Sequence, residues 1–429
     1  MVGNLYYLKN KFMKKNIAKY LSLATALLCG ACASTNDTEE LFPLPNILKS
    51  PITQTEVKTA QDWNNIARPE ILEFFQKNVY GEMLPRPKDL KFELFESSDN
   101  ALEGTAIRKQ YKVVSTDVNG SHSFNVLVYI PKNAKGKVPA FVCPNFWGTY
   151  SITDDKAIPL RKYKGYTKTK VKESDRGCRP ERIPVRDIIA RGFAIATFCY
   201  CDVYLDMAKT STASTSIYKI FPDSISQEKL AIPAWAWGNM RVIDILETLP
   251  EIDNRKICLA GHSRLAKTAV YTAAYDERIS LACINGGGCK RLCFLPNLRF
   301  PFWFSKNLKQ YVENYETGIP FEELKKLCAG KKPLPVEQYA LIACIAPRSL
   351  YLATSDNDKT AAPYIHFPAI KGVEPVYKLF GAKDFPPAEM ETSPTPYFGD
   401  IAYHCKKGVH SITKEDWKNF LDYAQKLGY

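Results

Sequence analysis

The stretch Lys256-Ile-Cys-Leu-Ala-Gly-His-Ser-Arg-Leu-Ala-Lys267 decides the fold. Residues 257–260 are a short apolar run of the kind a fully buried strand needs. From Arg264 to Tyr275 the chain reads as a helix. Only Gly261-His262-Ser263 separates the two, so strand must turn sharply into helix. A serine held in such a turn projects its hydroxyl away from the backbone. A glycine two residues earlier leaves room for the tight approach. The helix N-terminus directs N–H groups and positive dipole toward whatever meets the hydroxyl. The usual second glycine, two residues after the serine, is Leu265. Serine also favours helix caps, so the turn alone fits both a nucleophile and a cap.

Working outward, residues 69–79 read as a helix, with Ile71, Leu72, Phe74 and Phe75 as its apolar side and Pro69 at its first position. Residues 124–130 and 139–143 read as strands, 185–191 as a helix closed by Gly192, 193–198 as a buried strand and 234–249 as a helix. Beyond the turn, 279–284 and 349–354 read as strands, 375–379 as a short strand and 417–427 as the closing helix. Apolar strands alternating with helices predict an α/β domain: a mostly parallel sheet flanked by helices on both faces, a three-layer sandwich. Long irregular stretches at 150–182 and 292–333 interrupt the pattern. Loops of that length in a compact domain are often functional. No repeat of 20–50 residues is present. Residues 59–429 therefore read as one elaborated domain.

The segment before it reads as targeting sequence. Lys9, Lys11, Lys14, Lys15 and Lys19 precede an apolar run at 20–28, too short to span a bilayer. The run ends in Leu28-Cys-Gly-Ala-Cys32. Small residues before a cysteine resemble the lipobox of bacterial lipoproteins. Residues 1–31 are then a signal peptide, Cys32 the lipidated first mature residue, and 32–58 a tether. The protein is expected to be exported, to sit at the periplasmic or outer-membrane surface, and to meet the membrane only through its lipid.

Net charge is +13, and removing those five lysines leaves +8. This modest excess fits an acidic polysaccharide target as well as solvated surface. There is no dense Lys/Arg tract and no nucleic-acid motif. Of 13 cysteines, eleven follow Cys32. The Cys199/Cys201 and Cys289/Cys293 spacings match no zinc finger or ribbon. Most read as small buried hydrophobes, and no pair is assigned.

A serine nucleophile needs a base and a carboxylate to orient it. The chain has five histidines. His122 lies far upstream, His262 neighbours the serine and is expected to point elsewhere, and His366 opens a predicted helix. His404 and His410 fall in a segment read as a loop before the last helix. That is where the base belongs in α/β-hydrolases, whose triad runs Ser, acid, His. Gly408-Val-His410-Ser411 favours His410, because a small, mobile approach lets the ring reach Ser263. His404 is then structural or substrate-facing. The acid should follow a late strand, and Ser355-Asp-Asn-Asp358 offers both Asp356 and Asp358.

These residues resemble the glucuronoyl esterases, carbohydrate esterase family 15, and their bacterial branch in particular. The similarity covers residues 60–429. Its strongest block runs from Ala234-Trp-Ala-Trp-Gly238 through Arg241 and Leu246-Glu-Thr248 to Gly261-His-Ser-Arg-Leu-Ala-Lys267, where the family has Gly-x-Ser-Arg-x-Gly-Lys. Supporting blocks are Asn145-Phe-x-Gly148, Phe300-Pro-Phe-Trp-Phe304, Ile345-Ala-Pro-Arg348 and Gly408-Val-His410 before Asp416-Trp417. The resemblance implies Ser263 as nucleophile, Asp358 rather than Asp356 as acid, and His410 as base. It implies Arg264 as an oxyanion-stabilising cation and Lys267 as a sugar contact; Trp303 and His404 are further candidate substrate contacts. No metal or other cofactor is implied.

The departures bear on the substrate. Ala266 replaces the family's glycine, and Gly286 falls where other members carry an alternative acid, so the triad depends on Asp358. Thr360 and Phe302 stand where members have tryptophan and histidine, and residues 289–299 lack an acidic sugar-binding stretch. The expected activity is hydrolysis of an ester on plant cell-wall polysaccharide, foremost that joining xylan glucuronate to lignin alcohols. The alternatives are an acetyl xylan esterase and, in another class, a non-catalytic glycan-binding protein on an esterase scaffold.

Overall fold

The computed structural model describes residues 45–117, 119–207, 215–221, 228–288, 303–310, 336–359, 361 and 363–429. The signal segment, Cys32, the tether to residue 44, residues 289–299, Phe302 and Thr360 lie outside them.

One sheet organises the molecule. Its strands are β1 (Asp89–Ala101), β2 (Ala106–Asp117), β3 (Gly120–Pro131), β4 (Val138–Val142), β5 (Ala194–Phe198), β6 (Ile252–His262), β7 (Ile279–Asn285), β8 (Ser349–Ser355), β9 (Tyr397–Phe398) and β10 (Ile401–Lys406). They lie in the order β1-β2-β3-β5-β4-β6-β7-β8-β10-β9. The run from β5 to β10 is parallel. β1 to β3 pair antiparallel and join β5 antiparallel, and β9 closes the far edge antiparallel to β10. This is the predicted mostly parallel α/β sheet.

Both faces are covered, as period-two burial in the central strands requires. Val138, Ala140 and Val142 of β4 enter one apolar cluster, and Phe141 enters the other. In β6, Ile257 and Leu259 face the first cluster, Cys258 and Ala260 the second. The helices Ala231–Glu247, Arg264–Tyr275, Gln338–Ala343 and Pro368–Leu379 pack on the first face. Val185–Ala190 and Lys414–Lys426 pack on the second.

Three expectations are corrected and one hairpin is added. The helix read at 69–79 is longer, and Pro69 is not its start. Helical backbone runs from Ala60 to Tyr80, with π turns at Trp63–Ala67 and Gln76–Tyr80 around the α segment Arg68–Phe75. The first π turn ends just before Pro69, whose missing N–H breaks the α ladder there. Residues 375–379 are helix, not strand, because Val373, Val376 and Tyr377 recur on one buried helical stripe despite Pro375. The hairpin β1–β2 had no apolar signature, since most of β1 faces solvent. The supposed loop around His404 is β10, buried along its whole length.

Eight free cysteines fall among the described residues, and all but Cys178 are buried, as small apolar side chains are. No helix among the described residues is long and apolar enough to cross a membrane.

Candidate active site

In an open parallel sheet the carboxyl ends of the strands share one edge, and sites collect there. Ser263 follows β6 at that edge. Its φ of 58° and ψ of −120° place a non-glycine residue in strained backbone immediately before the helix Arg264–Tyr275. The turn is held by the Ser263 N–H, which donates to Asn285 O at 2.9 Å. A Cβ on Gly261 would meet Leu265 O at 2.3 Å, and one on Gly287 would meet Ser263 O at 2.2 Å. Glycine is therefore required on both sides of the serine. Leu265 points its side chain into the core, so the absent second glycine costs the turn nothing.

His410 lies in the loop after β10, partly exposed. Its Nδ1 donates to Asp358 Oδ2 at 2.6 Å. Asp358 follows β8 and is buried, and its Oδ1 accepts from Ala361 N at 2.9 Å. Asp356 is exposed and bonds instead to the Gly408 N–H at 2.8 Å, tethering the approach to His410. The structure thus brings Asp358, rather than Asp356, to the imidazole. Ser263 and His410 flank successive glycines. The Gly287 Cβ position lies 3.0 Å from Ser263 Cα, and that of Gly286 lies 3.3 Å from His410 Nδ1 and Cε1.

His262 does not point elsewhere. Its ring lies against that of His410, and its Nδ1 donates to Asn285 Oδ1 at 2.7 Å. Asn285 passes the chain on to Asp416 Oδ1 at 2.8 Å. Asp416 also accepts from Lys406, from Thr413 and from His404 Nε2 at 3.0 Å. Burial opposes the charge on Asp416, but the His404 and Lys406 contacts outweigh it and hold its pKa below the usual carboxylate value. His404 is fully buried between Asp416 and the Tyr351 hydroxyl, 3.0 Å from its Nδ1. The substrate-facing reading of His404 is therefore corrected: its ring belongs to a buried network under the site.

Arg264 begins the helix beside Ser263. Its guanidinium pairs with Asp206 and stands 4.7 Å from the Trp303 ring and 5.3 Å from that of Tyr166. Asp206 is buried and also accepts from Trp303 Nε1 at 2.9 Å and Tyr200 OH at 2.7 Å. Burial opposes the charge on Arg264, but Tyr200 and Asp206 raise its pKa further. Lys267, half-buried, lies one helical turn beyond Ser263. Trp303 is buried with its ring on the guanidinium rather than open to solvent. Asp206 and Tyr166 escaped sequence reading because each sits in an irregular segment with no local motif. Asn285 carried only the weak signal of a polar residue ending an apolar run, and Asp416 entered only as part of a resemblance block with no role attached. Among the described residues, no group of three or more His, Cys, Asp or Glu side chains is placed to hold a metal ion.

A serine in a strained strand-to-helix turn, a carboxylate-held imidazole and a fixed guanidinium form a constellation suited to acyl transfer. Comparison with known proteins points the same way. Residues 181–381 match the family model described as glucuronyl esterase, fungi. A carbohydrate esterase from an unknown prokaryotic organism is 31% identical over 407 residues, 89% of each chain. A glucuronoyl esterase from Solibacter usitatus superposes with a TM-score of 0.78 at 28% identity, covering 90% of this chain and 97% of the other. A promiscuous CE15 esterase from the marine bacterial metagenome superposes with a TM-score of 0.76 at 30% identity, covering 90% and 96%. With the α/β-hydrolase sheet beneath this site, the likeness over nearly the whole chain settles the family: the chain belongs to the bacterial branch of carbohydrate esterase family 15, the glucuronoyl esterases, and is a carboxylic-ester hydrolase.

Proposed function

We propose that this chain hydrolyses glucuronate esters on plant cell-wall xylan, with Ser263 as nucleophile, His410 as base and Asp358 as its orienting acid. The 2.6 Å bond from His410 Nδ1 to Asp358 carries the reading. It fixes the tautomer that leaves Nε2 available for the Ser263 proton. In the proposed cycle the serine oxygen attacks the ester carbonyl. Arg264 and the dipole of the helix Arg264–Tyr275 stabilise the oxyanion. The alcohol leaves with the proton from His410, and water, activated by the same base, cleaves the acyl-enzyme. Lys267 is assigned to the sugar, and Trp303, buried against the guanidinium, to holding Arg264 in place. The substrate class is supported by the similarity to the Solibacter glucuronoyl esterase.

A second reading, a broader esterase that also removes acetyl groups from xylan, is supported by the likeness to the promiscuous metagenomic esterase. The non-catalytic glycan-binding alternative is disfavoured by the Asp358–His410 pairing beside a strained serine. The protein is further assigned as exported, with residues 59–429 as the catalytic domain and Cys32 as the lipid anchor at the periplasmic or outer-membrane surface.

The test is turnover of benzyl glucuronate, beside acetate release from acetylated xylan. Ester cleavage is expected in the native protein, with a loss of roughly 10⁴-fold or more in Ser263→Ala. Undiminished turnover in that variant would end the mechanism. Acetate release without glucuronate-ester cleavage would favour the second reading.

A further inference from the structure

A cavity of about 680 Å³ opens beside Arg264 and is divided from it by a thin wall. Two short segments make the wall. In Leu205-Asp206-Met207, the outer two residues line the cavity while Asp206 turns back to hold Arg264. In Gly165-Tyr166-Thr167, the outer two line the cavity while the Tyr166 ring meets the same guanidinium. The rim is firmly built. Arg161 pairs with Asp202 and donates to the carbonyls of Tyr163 at 2.9 Å and Gly165 at 3.4 Å. Gly165 has a φ of +47°, and a Cβ there would strike Phe146 O at 2.3 Å.

The rim is also predominantly basic, with Asp202 as the one carboxylate among its described lining residues. Residues 156–172 contain Lys156, Arg161, Lys162, Lys164, Lys168, Lys170 and Lys172, and no Asp or Glu. They are interleaved with Thr, Tyr and Gly, so no contiguous tract stands out in the sequence. Asp202 balances Arg161, and Asp175 balances Lys164. Lys162 and Lys168 line the cavity, are exposed, and have no carboxylate partner among the described residues. Lys162 rests over the exposed Tyr163 ring, 5.2 Å from its centroid. A cleft lined by one sign of charge concentrates ligands of the other, and an exposed tyrosine beside it offers a flat apolar face.

We propose that this cavity is a second, anion-selective subsite. It takes a carboxylate-bearing sugar of the same polysaccharide that presents its ester to Ser263. The placement rests on the ester-hydrolase reading of the neighbouring site, whereas the ligand class rests on Lys162, Lys168 and Tyr163 alone. A neutral chain would leave both ammonium groups unused, and a single-sugar ester held at Arg264 has no part lying across the wall.

The test uses the full chain and the double variant Lys162→Ala/Lys168→Ala, whose side chains lie outside the proposed catalytic groups. Titration calorimetry measures binding of a de-esterified xylo-oligosaccharide carrying two uronates, against a neutral xylo-oligosaccharide. Benzyl glucuronate turnover is measured alongside. The variant is expected to bind the acidic oligosaccharide roughly five- to tenfold more weakly, with single-sugar turnover unchanged. The native advantage should shrink in about 0.5 M salt. Equal binding by variant and native protein overturns the proposal, as does equal native affinity for acidic and neutral oligosaccharides. Absent native turnover with the binding difference intact would remove the esterase reading and leave the subsite supported.

Discussion

The imidazoles of His262 and His410 lie against each other, ring centroids 4.6 Å apart and planes inclined by 39°. Two charged rings at that distance would repel. Burial pushes His262 down to about 3, and His410 and Arg182 push in the same direction. His262 is thus a neutral plate packed against the His410 ring. Its Nδ1–H is committed to Asn285, and through Asn285 to Asp416.

This arrangement sets a pH dependence of stability. The unfolded chain protonates His262 near its ordinary value of 6.5, whereas the folded chain resists until about pH 3. The contribution is complete above 6.5 and is lost as pH falls, at about 1.4 kcal/mol per unit inside the window. His122, pushed down to about 4 by burial, acts in the same sense and is common to both proteins compared. Between about pH 7 and pH 5 the native protein should lose about 2 kcal/mol more than His262→Gln in urea unfolding. Identical slopes would show that His262 titrates in the folded state.

The two aspartates of the loop after β8 should separate cleanly. Asp358→Asn loses the carboxylate that orients and charge-balances His410, and kcat is expected to fall by roughly 10³- to 10⁴-fold. Asp356→Asn weakens only the exposed tether to Gly408 and should cost less than about tenfold. Steady-state rates on one glucuronate ester decide it, and comparable losses in both variants would contradict the geometry.

Asp206→Asn is expected to leave the guanidinium of Arg264 without its buried counter-charge. One misplaced oxyanion donor is worth about 3 kcal/mol, so kcat should drop by up to roughly 100-fold with a smaller change in KM. Asp206→Glu should recover part of it. A loss confined to KM would mean that Asp206 serves substrate binding instead.

Gly287→Ala should be among the most damaging small substitutions, because its Cβ would lie 2.2 Å from Ser263 O. Displacing the strained turn should abolish labelling by a fluorophosphonate. Gly192→Ala provides the contrast. It has a φ of +83° with nothing within 4 Å, so it should cost only about 1 kcal/mol and leave labelling intact. Efficient labelling of Gly287→Ala would show that the turn is looser than its contacts imply.

Where a local pattern carried the signal, the sequence was enough. The elbow at Gly261-His-Ser263 and the helix Arg264–Tyr275 were legible because an apolar strand, a glycine and a helical stripe fall in sequence. So was Gly192, whose positive φ closes its helix. His404 was misplaced because a histidine inside an apolar run reads as a loop until Asp416, Tyr351 and Lys406 are seen to satisfy it. Asp356 and Asp358 are two residues apart on one loop, and their opposite fates depend on contacts with a segment about fifty residues away. Asp206 was invisible for the same reason: its importance comes from Arg264, Tyr200 and Trp303, none of them adjacent in the chain. The β1–β2 hairpin was missed because its solvent-facing strand displays no apolar stripe.

The wall behind Arg264 has a consequence for how such proteins can change. Because neighbouring residues in it look in opposite directions, inserting or deleting one amino acid in either stretch would swap the sides: what now grips the guanidinium would be turned toward the lysine-rimmed hollow. Substitutions can retune each compartment on its own, but changes of length cannot. Loop grafting between relatives should therefore succeed here only when residue number is preserved.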